Sequence, residues 1–418
     1  LLEGTVKRSA EDPSVVARAS AQGVRRRKVF YVPGYDPFPP RRYRELYRTE
    51  AAVQSEISGH QIAVRPAHRT GWQVTATVEG QHVDASVEVL VWSDIVQSSM
   101  GQGIFATYVQ LVSTTWTYLS SRALFRLMLL RKGPVIAALY PIVVLLVQAI
   151  VACALGALSA SIAGRLIDNE IARTIIMCAA FTGTALLTVH LARRYDRKIY
   201  AWYLMHDYAF TACEGGAYPR VLEDRIAEFV TKIRLALQGD WDEVLVVGHS
   251  SGVHLAISAL ADLYRLPLVP DGKLGFLSLG HVVPMVSFLP NAERLRTDLA
   301  CLSNESRLTW VDVSAPGDGC AFALCDPVSV SGMASTGKLW PLVLSAAFTQ
   351  TLSAERWNRL RWKFFRLHFQ YLCAFDRPGD YDYFAISAGP RTLGARFANR
   401  APSQSRIERP VNPFGLVQ

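Results

Sequence analysis

No disulfide framework, no metal-ligand spacing and no internal repeat organise this 418-residue chain. Its seven cysteines are odd in number and scattered, and Cys320 and Cys325, four residues apart in between, have no second pair. Neither a stapled small domain nor a tetrahedral zinc site is expected, and reduced thiols facing a cytosol fit this usage better. Acidic residues are in deficit, 35 against 44 basic, for a net charge of +9. The basic excess lacks a zinc knuckle or an RNA-binding aromatic motif. Nucleic acid is therefore not expected as a partner, and anionic lipid headgroups match the charge better.

Charge itself is missing from two stretches. Pro134 to Gly164 is 31 residues without a formal charge, and Thr174 to Ala192 is 19 more, apart from His190. A membrane-crossing helix needs about 20 apolar residues, and core helices of soluble proteins rarely run so far without a polar face. The two stretches, 134–164 and 174–192, therefore read as a transmembrane hairpin in contact with the lipid bilayer. Arg122, Arg126, Arg131 and Lys132 precede it, Arg193, Arg194, Arg197 and Lys198 follow it, and the link balances Arg165 and Arg173 against Asp168 and Glu170. Basic flanks stay on the cytoplasmic side. Both ends of the hairpin, and the rest of the chain, are expected there, in an integral membrane protein.

The remainder alternates between strand and helix signals. "VFYV" (29–32) reads as a buried strand closed by the turn "PGYDPFPP", and "RRYRELYRTEAAVQSEI" as a helix. "QIAVRPA", "WQVTATV" and "HVDASVEVLVWSDIV" are strand-like throughout. After the hairpin come a helix in "YPRVLEDRIAEFVTKIRLAL", the strand "EVLVV", a helix from "SGVHLAISALADLY", the strand "KLGFLSLG" (273–280), a helix in "NAERLRTDLACL" and the strand "RLTWVDVS" (307–314). Such alternation implies an α/β fold, a mostly parallel sheet with helices on both faces. The expected organisation is a basic flexible lead-in at 1–28, a first part of the α/β domain at 29–130, the hairpin at 131–198, a second part at 199–395 and a flexible tail at 396–418.

One stretch carries chemistry. "VLVVGHSSGVHLA" (244–256) sets Ser250 between Gly248 and Gly252 after four apolar residues. A G-x-S-x-G between a buried strand and a helix is a nucleophile elbow: the turn is so tight that its flanks must be small, and the serine hydroxyl projects above the sheet. About 0.1 such matches arise by chance in a chain this long, so the strand-before, helix-after context adds weight. On these residues the chain resembles the α/β-hydrolase superfamily from about residue 29 to about 395, and within it bacterial membrane-anchored serine hydrolase-like proteins.

The resemblance implies a triad in the order nucleophile, acid, histidine. His254, His281 and His368 follow Ser250, and only His368 also follows "RLTWVDVS", after which the acid is expected; His281 stays open as an alternative. Asp318, in the loop beyond that strand, is preferred as the acid over Asp312 within it, with Asp326 third. A turn aspartate beside Gly319 would look the same. The oxyanion hole would use the backbone N–H of Ser251 and of Tyr35, the latter in "VPGYDP". The chain departs from the common pattern in having Pro33 where a histidine often precedes the glycine, and in placing its large insertion before the nucleophile strand. "LWPLVLSAAF", between Asp318 and His368, reads as an apolar cap facing the substrate, though a further membrane-contacting helix would look the same. The expectation is a membrane-anchored serine hydrolase, esterase-, lipase- or thioesterase-like, for an ester or thioester with an apolar acyl part. It needs no metal or organic cofactor. The alternative is a non-catalytic α/β-hydrolase-like protein that binds a ligand or partner at the membrane.

Overall fold

The computed structural model describes residues 23–67, 69–267 and 269–415. Eight strands form one mixed sheet: β1 (Arg26–Val32), β2 (Gln61–Pro66), β3 (Gly71–Val78), β4 (Gln81–Val89), β5 (Glu243–His249), β6 (Leu274–Leu279), β7 (Leu308–Ser314) and β8 (Leu342–Ser345), in the order β2-β3-β4-β1-β5-β6-β7-β8. Pairing is parallel from β4 to β8 and antiparallel for β2 with β3 and β3 with β4.

The helices that bear on the site are α1 (Arg41–Ser58), α2 (Ser93–Met100), α3 (Ile104–Ser120), α4 (Ala123–Met128), α5 (Lys132–Gly164), α6 (Glu170–Arg194), α7 (Ala201–Ala212), α8 (Arg220–Gln238), α9 (Gly252–Arg265), α10 (Val283–Ser287), α11 (Glu293–Ser303) and α12 (Phe364–His368). Successive strand residues point to opposite faces, and both faces are covered. Phe30, Val244, Val246, Phe276 and Trp310 pack against Ile226 and Phe229 of α8, Leu255 and Ala259 of α9 and Leu299 of α11. Val29, Tyr31, Leu245, Val247, Leu277 and Val311 pack on the other side with Tyr47 of α1, Tyr371 and Phe384. Every residue of β5 is buried, which is why that strand reads as an unbroken apolar run.

Several boundaries differ from the sequence expectation. Residues 1–22 of the lead-in lie outside the described residues, and the rest is not a free basic arm, because β1 begins at Arg26. Arg27 is buried opposite Glu243 in the β1–β5 register and pairs with it at 2.6 Å, donating also to the Gly389 carbonyl. A buried guanidinium is tolerated when its donors are matched in this way. "HVDASVEVLVWSDIV" is not one strand. β4 stops at Val89, and Trp92, whose indole donates to the Pro33 carbonyl at 2.8 Å, turns the chain into α2, with Asp94 in its first turn. "LWPLVLSAAF" is no cap, since it supplies the edge strand β8 beside β7. The tail at 396–418 begins inside a short helix, Leu393–Phe397, and its described part is anchored: Ile407 N–H donates to the Leu324 carbonyl at 2.7 Å, and Val411 is buried.

α5 and α6 stand out from this body as an antiparallel pair. Both are long and apolar enough to cross a membrane. In α6 only Val189 of its 25 residues is buried. The pair packs through small residues: a Cβ on Gly156 would meet the Phe181 carbonyl at 2.9 Å, and Ser159 Oγ donates to the Ala180 carbonyl. Close approach through Gly and Ser is how apolar helices associate when lipid, not water, surrounds them.

Candidate active site

Strand β1 is the switch point of the sheet, with β2–β4 to one side and β5–β8 to the other. Loops leaving the carboxyl ends of β1, β5, β6 and β7 therefore meet over its centre, where such sheets hold their sites. The β5–α9 loop is the elbow. Ser250 has φ of 56°, the left-handed region that a serine rarely adopts, and it is half-buried. Its flanking glycines are sterically required. A Cβ on Gly252 would lie 2.2 Å from the Val32 carbonyl oxygen and 2.4 Å from that of Pro33, and one on Gly248 would lie 2.9 Å from Val253 Cα. Tightness in the elbow thus comes from α9 pressing on the end of β1. Backbone strain held this firmly is a mark of functional turns.

The β1 loop lies directly against the serine. A Cβ on Gly34 would sit 3.0 Å from Ser250 Cβ and 3.5 Å from Oγ. The backbone N–H groups of Tyr35 and Ser251 have no acceptor among the described residues. The loop is held from behind: Tyr203 of α7 donates its hydroxyl to the Tyr35 carbonyl, and Tyr35 Oη bonds Ser99 Oγ at 2.6 Å.

Asp318 and His368 come together. His368 Nδ1 is 2.7 Å from Asp318 Oδ2, and both side chains are buried. Asp318 is also held by the Tyr371 hydroxyl on Oδ2 at 3.0 Å and the Cys320 N–H on Oδ1 at 2.9 Å. Burial by itself would raise this carboxyl. His368, the Cys320 N–H and Tyr371 together outweigh it and hold the group below the usual carboxylate range. The other ring nitrogen, His368 Nε2, is buried and has no hydrogen-bond partner among the described residues, Ser250 Oγ included. The imidazole packs on the strand end that also holds the backbone of the serine. Ser250 N–H donates to the Leu279 carbonyl at 3.0 Å, and a Cβ on the next residue, Gly280, would be 3.2 Å from His368 Cε1. A buried imidazole nitrogen that accepts from nothing is placed to take a proton, and such bonds often tighten only with substrate in place.

The other acid and histidine candidates are engaged elsewhere. Asp312 is buried in β7 and accepts from Ser278 Oγ at 2.6 Å, with His281 Nε2 3.8 Å from its second oxygen. Burial pushes this carboxyl up to about 6, partly offset by His281 and Ser278. His281 Nε2–H donates to the Cys325 carbonyl at 2.8 Å. Asp326 caps a short helix through Val328 and Ser329 N–H and pairs with Lys338. His254, on α9, bonds the Tyr218 hydroxyl at 2.9 Å, and burial pushes it down to about 3, so it stays neutral.

Three residues at the site escape sequence reasoning. Tyr371 steadies the acid. His249, beside the serine, lies tilted against the His368 ring with centroids 4.7 Å apart and donates Nε2–H to the His368 carbonyl at 3.0 Å. Burial, then the His368 charge, push it down to about 3, so it acts as a neutral brace. Asp207 of α7 shares a narrow cleft with Tyr35, Phe210, Ser251 and His254, and makes no hydrogen bond among the described residues. Burial pushes its carboxyl up to about 7, with His368 acting in the opposite direction. No motif announces it, because α7 reaches the cleft only through the fold.

Asp207 gives a test by linkage. Its folded-state pKa is raised above the ordinary value of 3.8, so the folded protein loses stability as pH rises through that interval. Asp207→Asn removes the ionisation. Its melting temperature should match the native chain near pH 4, exceed it increasingly up to about pH 7, and keep a constant advantage above. A gap that does not change with pH would show that the carboxyl is not held neutral.

Comparison of the chain with protein-family models, with curated proteins and with solved structures finds no match in any of the three.

Proposed function

We propose that the chain is a membrane-anchored serine hydrolase of α/β-hydrolase type that cleaves an ester or thioester with an apolar acyl part. The observation that carries this reading is the buried Asp318–His368 pair, whose Nε2 has no partner among the described residues, packed on Gly280 next to the strand end that holds the left-handed Ser250 elbow. In this mechanism Ser250 Oγ attacks the acyl carbonyl as its proton passes to His368 Nε2. Asp318 holds the Nδ1–H tautomer and stabilises the imidazolium. The Ser251 and Tyr35 N–H groups, which lack other acceptors, receive the oxyanion. The C–O or C–S bond to the leaving group then breaks, and that group takes the proton from Nε2. Water, activated by the same nitrogen, releases the acid and restores the serine.

α5 and α6 anchor the enzyme in the bilayer. Their exposed apolar surface far exceeds the few hundred Å² that a soluble monomer tolerates. The basic flanks Arg122, Arg126, Arg131 and Lys132, and Arg193, Arg194 and Lys198, support a cytoplasmic catalytic domain on an inner membrane. The anchor is built into the site. A Cβ on Gly133, at the start of α5, would be 3.2 Å from Gly319 in the acid loop, and Tyr203, just after α6, holds the Tyr35 carbonyl. A site so joined to two apolar helices suits a substrate that partitions into lipid.

One observation favours the alternative, a non-catalytic binding protein: Ser250 Oγ makes no hydrogen bond to His368 Nε2. The test is hydrolysis of a series of nitrophenyl acyl esters by the full chain in membranes. Hydrolysis that His368→Ala abolishes supports the enzyme. Equal rates in the two would remove His368 from the mechanism.

A further inference from the structure

α5 is too long for its task. Its 33 residues extend about 50 Å, against about 30 Å of bilayer hydrocarbon. α6 shows where the surplus lies. Its basic end meets α5 near Leu145: Arg193 donates to the Gln102 carbonyl at 2.8 Å and lies over the Trp202 ring, whose Nε1–H donates to Gln148. From Leu145 to Gly164, paired with α6, is about 20 residues or about 30 Å, one hydrocarbon thickness. The preceding turns, 132–144, are collared by α3, α4 and α7, with Tyr118, Leu127 and Val135 in one buried cluster and Leu111, Leu145 and Met205 in the next.

The outer face of that collar is apolar. α3 carries no charged residue, and Asp94 and Arg122 are the nearest on either side. Phe105, Val109, Val112, Trp116 and Leu119 recur at spacings of four and three and form one exposed stripe, with Phe105 at 82 %, Val112 at 66 % and Trp116 at 70 % exposure. Phe125, Met128 and Leu129 on and just after α4, and Ile136 of α5, extend it. The polar groups of α3, the exposed Ser113 among them, are satisfied within the protein. Thr107, Ser113, Thr115 and Thr117 return their hydroxyls to carbonyls about one turn back, Tyr108 donates to the Leu145 carbonyl, and Gln110 pairs with His206. A helix whose hydroxyls are satisfied by its own backbone while its large apolar side chains face out is matched to lipid.

We propose that α3 is a third membrane-contacting segment, seated beside α5 in the headgroup and upper acyl layer, with its Phe105 end deepest and its Trp116 end at the surface. This rests on the reading of α5 and α6 as the anchor, with which the stripe is continuous. A small apolar crevice, lined among others by Thr115, Leu124, Ala138, Leu139 and Tyr208, opens on this collar and faces lipid. Tyr208 and Met285 line the crevice, while their chain neighbours Asp207 and Val286 line the cleft at Ser251. Acyl chains of the bilayer thus come within one layer of side chains of the site.

The test places an environment-sensitive fluorophore at Phe105→Cys, Val112→Cys or Trp116→Cys in the full chain. The background has Cys153, Cys178, Cys213, Cys301 and Cys320 replaced, and the chain is reconstituted in phosphatidylethanolamine–phosphatidylglycerol vesicles. Leu155→Cys and Leu186→Cys report the anchor, and Val53→Cys on α1 reports water. Lipid-borne nitroxides should quench all three α3 labels, with deep nitroxides strongest at 105 and weakest at 116, while a water-soluble nickel chelate quenches only Val53→Cys. Chelate quenching of the α3 labels, with the anchor labels still in lipid, would overturn the inference and leave the anchor standing. Labels on α3 reached by neither quencher would mark a second copy of the chain on the stripe and overturn it too. Anchor labels reached by the chelate would sink both readings.

Discussion

Asp318→Asn lowers ester turnover by about 10⁴-fold, the loss expected when the acid of such a triad becomes an amide. The cause is local. Asp318 Oδ2 accepts from both His368 Nδ1–H and the Tyr371 hydroxyl, and Oδ1 from Cys320 N–H. An asparagine can turn its NH₂ toward Nδ1, which moves the ring proton to Nε2 and leaves no base for Ser250. Stability changes with pH in a defined direction. The Asp318 carboxyl is held below its ordinary value, where burial would raise it but His368 and the other partners prevail. Its contribution is present above the ordinary range near pH 4 and is lost as pH falls through it. Thermal unfolding of native and variant chains should therefore diverge above about pH 4 and converge below. Kinetics on a soluble acyl ester give the rate. A loss below about tenfold would assign the acid elsewhere, with Asp312 next.

Gly252→Ala has its main effect on folding. The new methyl would lie 2.2 Å and 2.4 Å from the carbonyl oxygens of Val32 and Pro33, which are backbone atoms that no rotamer change can clear. α9 must move away from β1, opening the elbow and separating Ser250 from Gly34 and the Tyr35 N–H. A cost of about 3 kcal/mol or more is expected from overlap of this kind, together with loss of the oxyanion pair. Gly103→Ala is the control, because Gly103 has an ordinary φ of −71° and nothing within 4 Å of its would-be Cβ. The measurements are the temperature of half-inactivation and the residual rate at low temperature. An alanine tolerated at 252 with full activity would show that the elbow is looser than its contacts require.

What could be read from residues alone followed from local rules. A strand, a G-x-S-x-G and a helix in succession locate Ser250 without any fold, and chain order singles out His368 and the loop of Asp318. Helix and strand alternation gives the α/β class, because period and composition are local properties. What stayed hidden depends on distant packing. Trp92 breaks a continuous strand-like run because its indole finds the Pro33 carbonyl, 59 residues earlier. "PLVLS" looks like a cap until β7 offers it an edge. Asp207 and Tyr371 reach the site from helical segments that carry no motif. His249 fills the variable position of the elbow, where composition is uninformative. The charge-free α3 is not legible as a lipid-facing helix, because the strand-like "VEVLVWSDIV" leads into it and its apolar stripe is interleaved with Ser and Thr.

The central claim is that Ser250 is an activated nucleophile. The direct measurement is labelling of isolated membranes with a fluorophosphonate, comparing the native chain with Ser250→Ala. If Ser250 is activated, the native chain takes a covalent adduct that is lost in the variant. A folded, membrane-inserted native chain that takes no label would contradict it and leave Ser250 as a small residue at a tight turn.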